Sequence, residues 1–238
     1  MARREAVALG GRDLAVVNAV ARFKQLSATH IRELLFADVS KTPSDRALRR
    51  LVDMQYLRRI ERRMVGGARG GSGQYVYTLG AKGFYMYSTG RYNPARVVNY
   101  HSIAIADTYL HLLRLERQGL FKIDGLSTEP DCWATIGRYE LHPDLRVDVN
   151  GGRGVFKLWL EVDMATEAQR QIRSKLLNYW YAYNEADVSQ WPEFPLVVFV
   201  AVDSERANEL QWVIEQLDDD VALLFRVVTQ SSLPSLFL

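Results

Sequence analysis

The sequence contains a single cysteine, Cys132, which excludes an internal disulfide and any cysteine-based metal cluster. It lacks a window of about 18 uncharged apolar residues, so no helical membrane span is expected. After Arg3 and Arg4 no apolar run precedes Arg12 and Asp13, unlike a secretion signal, and the reducing cytoplasm is the expected location. Catalytic loops are also scarce. The stretch from Gly66 to Gly73 lacks the Gly-Lys-Ser/Thr ending of a phosphate-binding loop, and neither Ser204 nor Cys132 has a base partner recognisable in sequence. His101 and His111 sit ten residues apart without a spaced partner, which argues against a metal pair. With 48% hydrophobic and 24% charged residues in 238, the chain is not of disordered composition and can build one large core or two modest ones.

The net charge of +2 conceals two halves of opposite sign. Residues 1–96 hold 18 Lys and Arg against 7 Asp and Glu, hence +11, whereas residues 97–238 hold 12 against 21, hence −9. Such asymmetry points to a nucleic-acid-binding part joined to a part with another task. Two domains are therefore expected, 1–98 and 99–238.

In the basic half, Leu14, Val17, Val20, Ala21 and Phe23 follow helical spacing from Arg12 to Lys24. Ser27 is an expected N-cap for a second short helix with Ile31, Leu34 and Leu35 on its buried side. After a break at Lys41-Thr42-Pro43, Ser44 is expected to cap a third helix carrying Ala47, Leu48, Leu51 and Met54 inward. Arg46, Arg49 and Arg50 leave that apolar stripe, with Ser44 at the start of the helix. A recognition helix needs this pattern, since guanidinium forks match guanine edges and phosphates. A solvated helix face is the plainer alternative.

The sequel favours DNA. Arg58, Arg59, Arg62 and Arg63 lie on an expected strand, a glycine-rich tip carries Arg69, and Tyr75 to Leu79 reads as a returning strand. Three short helices followed by a basic hairpin constitute a winged helix-turn-helix, with the wing on the backbone or in the minor groove. A further short helix starts at Ala81. Its aromatic residues Phe84, Tyr85 and Tyr87 suit core or dimer packing better than stacking on unpaired bases.

The acidic half opens with an amphipathic helix from His101 to Gln118, stopped by Gly119. Strands are expected over Trp133–Leu141, Leu145–Val149 and Val155–Val162, the last two joined by a tight turn through Asn150-Gly151-Gly152. If Val149 faces Val155, Asp144 falls opposite Leu160 or Glu161. Asp144, Glu161 and Asp163 then gather near one end of the hairpin, a grouping that suits magnesium. A helix over 167–183, an apolar central strand from Leu196 to Val202, a helix from Ser204 to Leu217 and a strand over 221–229 complete a mixed α/β sheet. Asp218-Asp219-Asp220 is expected to be a solvated turn between the last two elements.

Pro143-Asp144 followed by Glu161-Val162-Asp163 at a strand end, and then by a helix, is similar to the PD-(D/E)xK restriction-endonuclease-like core. The wing strand Tyr75 to Leu79, His101 on a long helix, Pro143-Asp144 and Leu160-Glu161-Val162-Asp163 together resemble the replication-relaxation family of plasmid and other mobile-element proteins. That resemblance spans nearly the whole chain and implies DNA binding linked to replication, DNA topology or transcription. One position departs from the nuclease pattern. Active nucleases of this fold have lysine two residues after the glutamate, where this chain has Asp163. Lys157 is about 13 Å away along the strand. Arg170 or Arg173 on the next helix can substitute in charge, but a guanidinium is no base near neutral pH.

The expected molecule is thus α+β, a winged helix-turn-helix followed by a restriction-endonuclease-like domain with a mixed central sheet. It is expected to regulate a mobile element as a homodimer on double-stranded DNA, with no cofactor required for binding and a possible protein partner at the C-terminal domain. The competing expectation is a magnesium-dependent nickase whose metal ligands are Asp144 and Glu161.

Overall fold

The computed structural model describes residues 9–61, 75–152 and 154–237. They divide into two compact units, one ending at Leu110 and the other beginning at His111.

In the first unit, helix α1 (Gly11–Phe23) buries Val16, Val17, Val20 and Phe23. A short strand, β1 (Leu26–Ser27), leads into helix α2 (Ala28–Leu35). Ser27 is the expected cap: its hydroxyl accepts from the His30 amide at 3.1 Å, and its own amide donates to His30 Nδ1 at 3.3 Å. Helix α3 spans Lys41–Asp53 and starts earlier than the sequence suggests, after Ser40 rather than Ser44. Pro43 does not break it, because a proline in the first turn removes only an amide that has no intrahelical acceptor. With that start, Ser44 falls on the inward face beside Ala47, Leu48 and Leu51 and is 1% exposed.

Strands β2 (Leu57–Glu61) and β3 (Tyr75–Leu79) pair antiparallel from Leu57 opposite Leu79 to Glu61 opposite Tyr75. Strand β1 flanks β3 on its other side, giving the order β1-β3-β2. Three helices with this sheet are compatible with the expected winged helix-turn-helix. The expected tip with Arg69, together with Arg62 and Arg63, lies outside the described residues. Helix α4 (Ala81–Phe84) sits against the turn before β2, where a Cβ on Gly83 would meet the Tyr56 carbonyl. Tyr85, Met86 and Tyr87 beyond it are exposed.

Helix α5 (Tyr100–Arg117) belongs partly to each unit. Its first half packs within the first: Ile103 joins Ile60 and Val76, and the Tyr109 ring meets Phe23 edge-on at 5.0 Å. The division between the units falls inside this helix, between Leu110 and His111.

The second unit continues with β4 (Phe121–Thr128), a small hairpin of β5 (Ala134–Ile136) and β6 (Tyr139–Leu141), and the long hairpin of β7 (Leu145–Gly151) and β8 (Gly154–Asp163). Helix α6 (Gln169–Glu185), strand β9 (Leu196–Ala201), helix α7 (Ser204–Glu215), the short helix α8 (Asp219–Ala222) and strand β10 (Phe225–Thr229) follow, then a 3₁₀ turn over Leu233–Leu236. The five-stranded sheet has the order β10-β9-β8-β7-β4; β8, β9 and β10 run parallel, and β7 and β4 complete it antiparallel. The sheet is therefore mixed, as expected. Three details differ. The strand read over 133–141 is a hairpin turning at Gly137 (φ +58°), and 221–229 begins with α8, so only its second half is strand. The edge strand β4 was not anticipated, since its alternation is interrupted at Gly125, where the register with β7 shifts.

Candidate nucleic-acid interface and carboxylate cluster

The exposed side of α3 borders a groove of about 1110 Å³ within the first unit. Its walls come from α2, α3, β2 and β3, and its cations are Arg32, Lys41, Arg49, Arg58 and Arg59, against the carboxylates of Asp45 and Asp53. Five cations against two acids make the groove a positive trough. The Arg59 guanidinium lies 4.0 Å from the centre of the Tyr75 ring, which holds the side chain flat along the sheet. Tyr77, on the same wall, has its phenol pKa raised, chiefly by burial.

Of the residues expected to face DNA, Arg49, Arg58 and Arg59 line this trough, and Arg46 is exposed on the adjacent sector of α3. Two others stand differently. Ser44 is buried by the register of α3, so it does not reach the surface. Arg50 is engaged by Asp13, with Nη2 to Oδ1 at 2.6 Å and Nε to Oδ2 at 3.3 Å. Arg32 and Lys41 were missed. Lys41 stands next to Pro43, which suggests a break before the helix, and the apolar spacing of α2 carries no signal for Arg32.

In the second unit, Gly151 pairs with Gly154, so Val149 faces Phe156 and Leu145 faces Leu160. The register differs by one residue from a Val149–Val155 pairing. It carries Asp144, one step before β7, to the level of Glu161, and the Asp144 amide donates to the Leu160 carbonyl at 3.0 Å. Trp159, Glu161 and Asp163 alternate on the face of β8 covered by α6 and α7, since Trp159 packs with Ile172, Leu176 and Tyr179 of α6 and Leu210 of α7.

The three carboxylates are buried, Asp144 at 8%, Glu161 at 5% and Asp163 at 7% exposure, and each meets donors of the chain itself. Asp144 Oδ2 accepts from the Val162 amide at 2.7 Å. Glu161 takes the Tyr179 hydroxyl on Oε1 at 2.5 Å and the Lys175 ammonium on Oε2 at 3.1 Å. Lys175 also reaches Glu167 at 3.2 Å. Asp163 receives a two-pronged contact from Arg206, Nε to Oδ1 at 2.7 Å and Nη2 to Oδ2 at 3.1 Å. Arg206 is completed by Glu209 at 2.9 Å and the Glu167 carbonyl at 2.9 Å.

Burial raises the Glu161 pKa to about 7; Lys175 lowers it, but neighbouring Asp144 raises it again. For Lys175, burial works against the charge, yet Glu161 and Glu167 prevail and its pKa is raised. Cys132 lies nearby, its thiol donating to the Pro143 carbonyl at 2.9 Å, and burial pushes its pKa up to about 12. A thiol so held is a poor nucleophile.

Arg170 and Arg173, expected as substitutes for the missing lysine, are exposed. The cations that reach the carboxylates are Lys175 and Arg206. Position 175 lies further along α6, on the side that faces β8, and Arg206 arrives from α7, which sequence spacing relative to Glu161 does not reveal. Among the described residues, no group of three or more His, Cys, Asp or Glu side chains gathers closely enough to hold a metal ion. Also among these residues, no helix is long and apolar enough to cross a membrane.

A family model described as replication-relaxation matches residues 18–194. No curated protein and no solved structure matches the chain.

Proposed function

The chain belongs to the replication-relaxation family, and from that premise we propose that it binds double-stranded DNA and regulates replication or transcription of a plasmid or other mobile element. The first unit acts as a winged helix-turn-helix reader. The second serves as a scaffold for self-association or for a protein partner.

The observation that carries this reading is the positive trough beside α3. Arg49 lines it and Arg46 is exposed next to it, both on one helix, where guanidinium forks can meet base edges in a major groove. Arg58 and Arg59 on β2 line the same groove as Arg32 and Lys41, which supports a role for them in neutralising backbone phosphates. Arg62, Arg63 and Arg69 extend the same charge along the sequence between β2 and β3. Asp45 and Asp53 at the trough's edge oppose loose, sequence-independent contact and favour one register. Two copies on one site would double the contacts and set a half-site spacing.

The test is a gel-shift titration with supercoiled and linear DNA from the native locus, run in magnesium, manganese and EDTA, with the DNA examined for breaks. The expected result is a retarded band with intact DNA in all three conditions, lost in the Arg46→Ala, Arg49→Ala double variant. Wild-type affinity in that variant removes the recognition-helix assignment. Nicking that requires the metal and disappears in Asp144→Ala makes the protein the nickase of the competing reading.

A further inference from the structure

We propose that the carboxylate cluster of the second unit is closed to divalent cations, because the Lys175 ammonium and the Arg206 guanidinium already occupy acceptor oxygens that a metal would need. This inference does not depend on the DNA-binding reading, because it concerns a different unit and different residues.

Three features carry it. The first is the allocation of acceptor atoms. Glu161 presents two oxygens, one to Tyr179 and the other to Lys175. Asp163 presents two, both to Arg206. Asp144 gives one oxygen to the Val162 amide, which belongs to the strand between the other two acids. A magnesium ion keeps near-ideal octahedral geometry and sheds its water reluctantly, so it gains little from oxygens already turned toward fixed donors.

The second is charge. Within the buried set, Lys175 offsets Glu161 and Arg206 offsets Asp163, while Asp144 accepts from the Val162 amide. A guanidinium stays charged at every pH a protein survives and matches a carboxylate with two parallel bonds. Expelling it from Asp163 would break a two-pronged buried ion pair, with Arg206 itself only 7% exposed.

The third is tethering. Lys175 is anchored to α6, whose neighbouring residues Ile172, Leu176 and Tyr179 are all in the core, and its ammonium bridges Glu161 and Glu167. A tethered cation pays no translational entropy to stay, unlike a free ion that must be recruited from solution. Lys175 and Arg206 thus turn the acceptor oxygens of a nuclease-like pattern toward cations of the chain itself.

The experiment uses the full chain above neutral pH. Manganese binding is followed by the electron paramagnetic resonance signal of the free ion, and thermal unfolding is recorded in EDTA, magnesium and manganese for the wild type, Asp144→Asn and Lys175→Met. The expected wild-type result is no retained manganese and the same unfolding temperature in all three media. Lys175→Met is expected to unfold at lower temperature in EDTA and to recover in manganese, since the metal then takes the vacated position. A wild-type manganese site that Asp144→Asn abolishes would overturn the proposal. So would a Lys175→Met protein that folds and gains nothing from manganese, because the ammonium would then not occupy a cation position. If Lys175→Met fails to fold, the comparison of wild type with Asp144→Asn decides alone.

Discussion

Arg50 of α3 forks onto Asp13 in the first turn of α1, with contacts of 2.6 and 3.3 Å, and the Asp13 side chain is only 12% exposed. The helix that offers Arg46 and Arg49 outward is thereby pinned to α1 by its own third arginine. Asp13→Ala is expected to cost about 1 kcal/mol of unfolding free energy, the half-exposed Arg50 limiting the effect. It should also weaken specific DNA binding by the proposed reader, although it removes a negative charge from that basic unit. Urea denaturation and a gel shift at matched salt measure the two effects. Tighter binding would mean that Asp13 restrains Arg50 from DNA instead of positioning α3.

Arg49→Ala and Arg59→Ala are expected to differ in kind. If Arg59 neutralises a phosphate, its loss reduces the slope of log affinity against log salt by about 0.9 and weakens all sequences alike. Loss of Arg49 should mainly erase the difference between the native site and unrelated DNA. Equal effects of the two substitutions on both quantities would refute this division.

The Asp163–Arg206 pair is buried on both sides, with side-chain exposures of 5% and 8%. Arg206→Met leaves an uncompensated carboxylate and should destabilise the fold by about 3–5 kcal/mol. Adding Asp163→Leu to that variant should restore most of the loss, as an apolar pair replaces the ionic one. Chemical denaturation of the single and double variants gives the coupling directly.

Glu161 has a pKa raised from 4.5 to about 7 by burial. A carboxyl whose folded value exceeds its unfolded one binds its proton more readily in the native state. Its contribution to stability is complete below about pH 4.5 and is lost as pH rises through about 7. In Glu161→Gln this decline should vanish, so the two stability profiles should diverge across that window. Parallel profiles would show that Glu161 does not titrate there.

Much of this was legible locally. Helical spacing and Ser27 mark α2, and the apolar run from Leu196 marks β9 as buried on both faces. The grouping of Asp144 with Glu161 follows from the hairpin, because strand alternation and pairing are short-range rules. The start of α3 was less legible, since Pro43 reads as a break unless its place in the first turn is known. Strand β4 was invisible because Gly125 interrupts its pattern and its partner β7 follows some twenty residues later.

By itself the sequence determined the segregation of charge, the helical and strand periods and the family, all of which reside in residue order and neighbouring spacing. Only the tertiary structure decided which cation meets which acid. Asp13 finds Arg50 across 37 positions, Glu161 finds Lys175 across 14, and Asp163 finds Arg206 across 43. Those choices depend on how α3 packs on α1 and how α6 and α7 lie over β8. Burial then makes each pairing selective, because a charge removed from water must be matched at hydrogen-bond distance or lose its ionisation.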